Sequence, residues 1–401
     1  MQAWYMCECP YPFVSDDVIA QYGSARANLP SRYCEPEVAA RLYEECLDEY
    51  LLCDQEGLNV VVNEHHSGIN CLWGANPLIL GILARQTRKA RILSLGTLIT
   101  IRKDPVRVAE EYATADVISR GRIEIGFVKS GGSEMASGNM NPVGNLERFW
   151  EAIDLITKSL TSHDGPFVWE GKYFSHRHAN IWPRVWQNPH PPYWAASSDE
   201  ETVRELGRRG IINTVFASGA ERTKKAWSYY HASRRDAGLP PAGPDRFAYM
   251  GFTYVGETDE EAHRVGKELL WFLDVGDISA PQYSKFLPGA IPPRAAPNVY
   301  RSLHLRDEIA HAGRPMQAAP RFSMEKAIAQ GTLFVGNPDT VYRQIMDFYD
   351  KVGGFEHLIL MGRSGFMTHE QTETSIRLFA REVLPRLREA TRNRIKQGVS
   401  A

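Results

Sequence analysis

The chain has 401 residues, 43% of them hydrophobic, which is enough apolar material for one large α/β barrel or for two ordinary domains. A formal net charge of -2 gives no basic footprint for nucleic acid and no polybasic stretch for a membrane surface, so a small-molecule partner is the default. No apolar run approaches the roughly 20 residues a spanning helix needs, and the first residues lack a cationic segment ahead of an apolar core; the expectation is a soluble, cytoplasmic protein.

All six cysteines, Cys7, Cys9, Cys34, Cys46, Cys53 and Cys71, fall early in the chain. No C-x-x-C pair starts a zinc site, so free thiols in a reducing compartment are expected, with no metal.

Strand-like and helix-like segments alternate from the start. Residues 4–9 read as a first strand, with Cys7-Glu8-Cys9 alternating along it, and 36–56 as a long amphipathic helix; the loop between them, 10–35, is unusually long. Three consecutive β-branched residues, Val60 to Val62, make 58–64 a second strand bounded by Gly57 and by Ser67-Gly68. A helix at 77–89 leads to a third strand, 91–99, apolar enough for burial on both faces. Pro105 opens the next helix at a position where its missing N–H costs nothing, and Gly121 stops it after Ser119. Strand 122–128, a Gly/Ser/Asn-rich loop to Asn145 and a helix at 146–160 complete four βα units, which argue for a parallel sheet.

Residues 164–192 break the rhythm with a Pro/Trp-rich passage expected to be an extension or hairpin laid over the barrel. Strand 193–196, helix 200–209, strand 211–216, helix 220–237, strand 247–255 and helix 259–275 follow. The stretch 277–325 lacks periodicity and is the candidate insertion or lid. Asn337-Pro338-Asp339 caps a helix to Lys351, 356–361 is an eighth strand, and a terminal helix ends near Ala390. Eight strands and about eight main helices favour a closed (β/α)8 TIM barrel, read as a single domain over 1–401, above an open doubly wound sheet. Neither a Walker A loop nor G-x-G-x-x-G follows the first strand, which disfavours a Rossmann dinucleotide site.

Barrel enzymes keep their chemistry at the C-terminal ends of the strands. The second strand ends in Asn63-Glu64-His65-His66, an acid and two imidazoles, although a histidine pair is also compatible with a satisfied surface feature. The fourth ends in Val128-Lys129-Ser130-Gly131-Gly132-Ser133, a cation among exposed backbone N–H groups, followed by Arg148 near the start of the next helix. After the fifth strand, Ser197, Ser198 and Thr202 surround a helix N-terminus, where aligned N–H groups bind phosphate. Taken singly, each serine is equally well explained as an N-cap, and each cation as a solvated or ion-paired side chain. Their convergence at successive strand ends points to an anion site.

An ordered series of segments resembles the bacterial luciferase-like family of flavin-dependent monooxygenases. The series comprises Glu64-His65-His66, Ala75-Asn76-Pro77, Leu95-Gly96-Thr97, Asp104 to Glu111, Asp116 to Gly126, Asn188 to Trp194 and Gly336-Asn337-Pro338-Asp339. The resemblance implies a barrel that holds reduced FMN at its mouth and reacts it with O2 through a C4a-peroxide, the flavin being supplied by a separate NAD(P)H:flavin reductase. It implies phosphate binding by Lys129, where the family has arginine, and by Arg148, with Ser198 and Thr202 or Ser197 as hydroxyl donors. A non-prolyl cis peptide supporting the isoalloxazine ring would fall at Leu98-Ile99. His65 would act as acid/base, Glu64 would orient it or touch the ring, and His66 would be structural. Val128 replaces the cysteine of true luciferases, so light emission is not implied, and Trp73, Trp182, Trp186 and Trp194 are candidates for an apolar pocket. A small organic substrate and a homodimer complete what the resemblance implies. Two alternatives stay open: an F420-dependent oxidoreductase transferring hydride, and a flavin-binding protein without turnover.

Overall fold

The computed structural model of the protein describes residues 1–277 and 323–396. The strands, in chain order, are β1 (Gln2–Cys7), β2 (Asn59–Val62), β3 (Ile92–Thr97), β4 (Ile123–Phe127), β5 (Phe167–Glu170), β6 (Ser175–Ala179), β7 (Tyr193–Ala196), β8 (Ile212–Phe216), β9 (Phe247–Val255), β10 (Leu333–Gly336) and β11 (His357–Arg363). Eight of them form a closed parallel ring in the order β1-β2-β3-β4-β7-β8-β9-β11, with β11 returning to β1. These are the eight strands expected from the sequence, and the architecture is a (β/α)8 barrel. The antiparallel pair β5 and β6 is the hairpin expected within 164–192.

The period-2 alternation of each strand divides its residues between two cores. Trp4, Met6, Val61, Leu93, Leu95, Trp194, Ile212, Met250 and Ile359 fill the barrel interior. Their neighbours Tyr5, Cys7, Val60, Val62, Ile92 and Ile123 face the surrounding helices. Both faces are therefore apolar, which is why the strands read as near-continuous hydrophobic runs. Trp4 and Trp194 meet edge to face at 5.2 Å inside the ring. Trp194 also donates to the buried Glu124, which pairs with Arg91.

Several boundaries differ from expectation. β1 ends at Cys7, because Cys9 adopts a left-handed φ of 49° and turns the chain. β2 ends at Val62, because the Asn63 carbonyl accepts from the Asn76 side chain at 2.9 Å instead of from a strand. The 10–35 loop contains the helix Asp16–Tyr22 and the 3-10 turn Ser31–Tyr33. The helix expected at 259–275 is divided into Asp259–Gly266, a 3-10 turn Lys267–Leu270 and Trp271–Asp277. The terminal helix runs as His369–Leu378, a π turn Phe379–Val383 and Leu384–Lys396.

Strand β10 was not expected. It pairs with Phe252 to Val255, the part of β9 that extends past β8, on the edge where Met250 takes the Ala217 N–H. The proposed lid at 277–325 lies, for 278–322, outside the described residues.

Strands β3 and β4 come unusually close at their C-terminal ends. Their register shifts between Ser94 and Thr97, and a Cβ on Gly126 would lie 2.3 Å from the Ser94 carbonyl oxygen. The non-prolyl cis peptide lies within this shift, at Leu95-Gly96 and not at Leu98-Ile99. No helix among the described residues is long and apolar enough to cross a membrane.

Candidate active site at the barrel mouth

The end of β4 and the start of the helix Glu200–Arg209, which follows β7, meet directly. Lys129 Nζ donates to Thr202 Oγ1 at 2.9 Å. Asp199 caps this helix, accepting the Thr202 N–H and hydroxyl at 3.1 Å each, and Ser197 Oγ accepts the Asp199 N–H at 3.1 Å. Ser197 is thus built into the same turn. Ser198 faces outward, where its hydroxyl accepts from Arg222 at 3.0 Å. Arg148, in the first turn of the helix Asn145–Thr161, packs against the β5/β6 hairpin, with its guanidinium 4.7 Å from the Phe174 ring, and its buried Nε has no hydrogen-bond partner among the described residues.

The second corner is built on Glu64, which is 2% exposed. Its carboxylate accepts the Leu98 N–H at 3.4 Å, pairs with Arg102 at 3.3 Å and meets His66 Nε2 at 3.1 Å. Glu64 therefore fastens the segment after β3 to the end of β2. Buried Leu98 and Ile99 follow in a tight turn, in which Ile99 N–H bonds to Thr97 and Ile101 N–H to Leu98. Asn76 links the same two strand ends, donating to the Asn63 carbonyl and accepting from Ser94 Oγ at 3.1 Å.

His65 lies between two buried carboxylates that the sequence does not flag. Its Nδ1 is 2.6 Å from Glu134 Oε1, and its Nε2 is 3.7 Å from Glu8 Oε1. Burial opposes a charge on this ring, but Glu8 and Glu134 together outweigh it and hold the imidazole pKa above the ordinary histidine range, against a smaller opposing contribution from Arg26. Glu134 is raised by burial and lowered more by His65, ending below the usual carboxylate range. At Glu8 burial dominates and the carboxyl is pushed up.

Glu8 occupies the position directly after β1, level with Asn63 in the β1/β2 register; extending that strand to Cys9 hides it as an ordinary alternating residue. Glu134 lies in the short helix Gly132–Ser137, within a loop whose glycines and serines suggest only backbone donors. The two corners are joined by one segment, 129–134. Lys129 begins it on Thr202, Ser130 Oγ accepts from Thr100 Oγ1 at 2.9 Å in the middle, and Glu134 ends it on His65.

The tryptophans do not form one pocket. Trp73 and Trp194 are fully buried in different cores, whereas Trp182 and Trp186 are exposed. All six cysteines are free, and Cys7 and Cys46 bring their sulfurs to 3.3 Å beside Glu49.

The luciferase-like monooxygenase family profile matches residues 37–354, well over half of the chain, and the protein belongs to that family of oxidoreductases. It is 24% identical over 247 residues to the oxygenase component of the flavin-dependent trigonelline monooxygenase of Acinetobacter baylyi, a match covering 59% of this chain and 66% of that one. The chain thus spans about two thirds of that relative's length. Among solved structures it resembles the oxygenating constituent of 3,6-diketocamphane monooxygenase from Pseudomonas putida, a type II Baeyer-Villiger enzyme in complex with FMN, at TM-score 0.68 and 19% identity, covering 96% of this chain and 98% of that one. It also resembles the coenzyme F420 dependent tetrahydromethanopterin reductase of Methanopyrus kandleri at TM-score 0.67 and 18% identity, with the same coverages. At these identities the two structures establish a shared barrel and nothing finer.

Proposed function

We propose that this protein is the oxygenating component of a two-component flavin monooxygenase. It takes reduced FMN from a separate NAD(P)H:flavin reductase and uses O2 to place one oxygen atom on a small organic substrate. The observation that carries this reading is the 129–134 segment, which joins a cation and hydroxyl pair, Lys129 with Thr202, to a carboxylate-clamped imidazole, Glu134 with His65.

The donor set fits a phosphate. Lys129 supplies charge, Thr202 and Ser197 supply hydroxyls at a helix N-terminus, Ser198 being turned away onto Arg222, and Arg148 has a buried Nε with no partner among the described residues. When bound, reduced flavin supplies the electrons that O2 accepts. Lys129 offsets the phosphate charge. Glu64 holds the Leu98 and Ile99 segment in place for the ring. His65, whose protonated form Glu8 and Glu134 favour, would move a proton at Nε2 to or from the reacting oxygen. Leu95, Val128, Ala196 and Phe216, grouped around the barrel's interior core, give the mouth an apolar floor that excludes water.

We further propose a homodimer. The helices Asn76–Gln86 and Pro105–Ser119 line a cleft of about 670 Å³, and Leu78, Ile118 and Trp182 are exposed around it. Trp182→Asp should convert a dimer to a monomer in light scattering. The free thiols suit a reducing cytoplasm, where we place the reaction.

The test is an anaerobic titration with reduced FMN followed by admission of air. Tight binding, with oxygen uptake altered by His65→Asn, supports the reading. Tight F420 binding with hydride transfer and no oxygen uptake would replace it with the F420 reading, and flavin binding without oxygen uptake would mark a non-catalytic binder.

A further inference from the structure

A cavity of about 270 Å³ lies between the 10–35 loop and the chain just after β2. Tyr11, Val14, Leu29 and Tyr33 form one side, and Ile69 and His65 are part of the other. Ligand sites usually span roughly 300 to 1,000 Å³, so this one suits a compact molecule. At a water's share of about 30 Å³ it holds roughly nine waters' worth of volume, the size of one ring with a short substituent.

Its lining is mainly carbon, and its polar groups are largely engaged. The Tyr11 hydroxyl accepts the Glu35 N–H at 2.9 Å, and His66 is bound to Glu64. Burial pushes the Cys71 thiol well up, so it is neutral. The imidazole of His65 is different. Its Nδ1 is committed to Glu134, while Nε2 stands 3.7 Å from Glu8, beyond hydrogen-bonding distance. Glu8 itself receives the Asn70 amide at 3.3 Å.

The charges around this ring are of both signs. Glu134 faces it from the helix Gly132–Ser137, Glu8 from the end of β1, and Arg26 from the 10–35 loop. A carboxylate brought to Nε2 would give up its hydration and meet Glu8 and Glu134, and an ammonium would give up its hydration and meet Arg26, while the opposite charges each would seek are already balanced within this set. A neutral oxygen meets neither penalty.

We infer that this cavity binds the organic substrate as a neutral, compact, mainly apolar molecule whose carbonyl-type oxygen accepts a hydrogen bond from His65 Nε2, with Glu8 and Glu134 as positioning residues. The inference rests on the monooxygenase reading only in calling the ligand a substrate; binding itself is independent of it.

Three probes of similar shape, cyclohexanone, cyclohexanecarboxylate and cyclohexylammonium, are titrated into the full-length protein with and without reduced FMN, by calorimetry and ligand-observed NMR. The ketone should bind at least about tenfold tighter than either ion, which corresponds to about 1.4 kcal/mol. Leu29→Trp, which fills the cavity from a half-exposed position, should weaken ketone binding about tenfold or more. Cys34→Phe serves in its place if that variant does not fold. Glu134→Gln should shift the high-pH limb of ketone affinity to lower pH, because the ring then loses its proton earlier; a merely structural glutamate would leave the limb where it is. Equal or tighter binding of either ion, or ketone binding indifferent to the filled cavity, overturns the inference. Failure of the wild type to bind reduced FMN counts against the flavin reading alone, because ketone binding is also read without flavin.

Discussion

Lys129 Nζ donates to Thr202 Oγ1 at 2.9 Å, which joins the end of β4 to the first turn of the helix after β7. A lysine held by a hydroxyl at a helix N-terminus is aimed by its surroundings, so part of the entropy of ordering its long side chain is met before any anion arrives.

Lys129→Ala should therefore weaken reduced FMN binding by roughly 10- to 100-fold, the range for losing a hydrogen bond to a charged group. Thr202→Val should cost less, because it removes the hydroxyl and keeps the cation. Ser198→Ala should change affinity by no more than about twofold, since that hydroxyl is engaged with Arg222 on the surface. Anaerobic fluorescence titration ranks the three, and an unchanged Lys129→Ala affinity would remove the phosphate role from this corner.

The clamp on His65 makes stability depend on pH in a definite direction. The imidazole pKa is raised in the folded state, so the stabilisation it contributes is fully present below its unfolded value of about 6.5. It is lost as pH rises through the folded pKa. Melting temperature should fall across that window in the wild type, and the fall should be smaller in His65→Asn. Parallel curves for the two proteins would show that the pair contributes nothing to stability.

The ring strands are legible in the sequence because they are apolar on both faces: every residue of Ile92–Thr97 and Phe247–Val255 is buried, which only a barrel or a covered sheet demands. Strand β10 is not legible, since its four residues are a strand only by virtue of the length by which β9 extends beyond β8. At the site, Glu64, His65 and Lys129 stand out through their place just after strands, and Thr202 through its place in the first turn of the helix after β7. Glu134 does not, because its role depends on a loop after β4 folding back onto the end of β2. The position of the cis peptide likewise depends on the β3/β4 register shift, a relation between two strands that neither strand shows alone.

That register shift makes Gly126 sensitive to any side chain. An alanine Cβ would lie 2.3 Å from the Ser94 carbonyl oxygen and 2.9 Å from Leu95 Cα, both backbone atoms that cannot rotate away. Gly126→Ala should destabilise the fold by about 2 to 4 kcal/mol, the upper range for overpacking, and should weaken flavin binding as β3 and β4 separate. Denaturant unfolding gives the first quantity, and a loss under about 0.5 kcal/mol would mean the strands can part freely.

Arg363 is buried at the end of β11 and bridges Glu45 and Glu49, while Glu49 also accepts from Tyr5 at 2.8 Å and meets His369 at 3.1 Å. Burial alone would lower the guanidinium's affinity for its proton, yet Glu49 together with the neighbouring Cys46, Cys7 and Glu45 outweighs it and holds Arg363 charged. Desolvating these groups has already offset much of their mutual attraction, so the pair adds little net stability, while either partner alone is left badly placed. Glu49→Gln should therefore cost about 3 to 5 kcal/mol, and Glu49→Leu combined with Arg363→Met should recover most of that loss. Chemical denaturation of both variants and the wild type decides the matter: a double variant as unstable as the single one would show that the charges themselves, and not the cost of stranding one of them, hold β11 to the helix Pro36–Glu56.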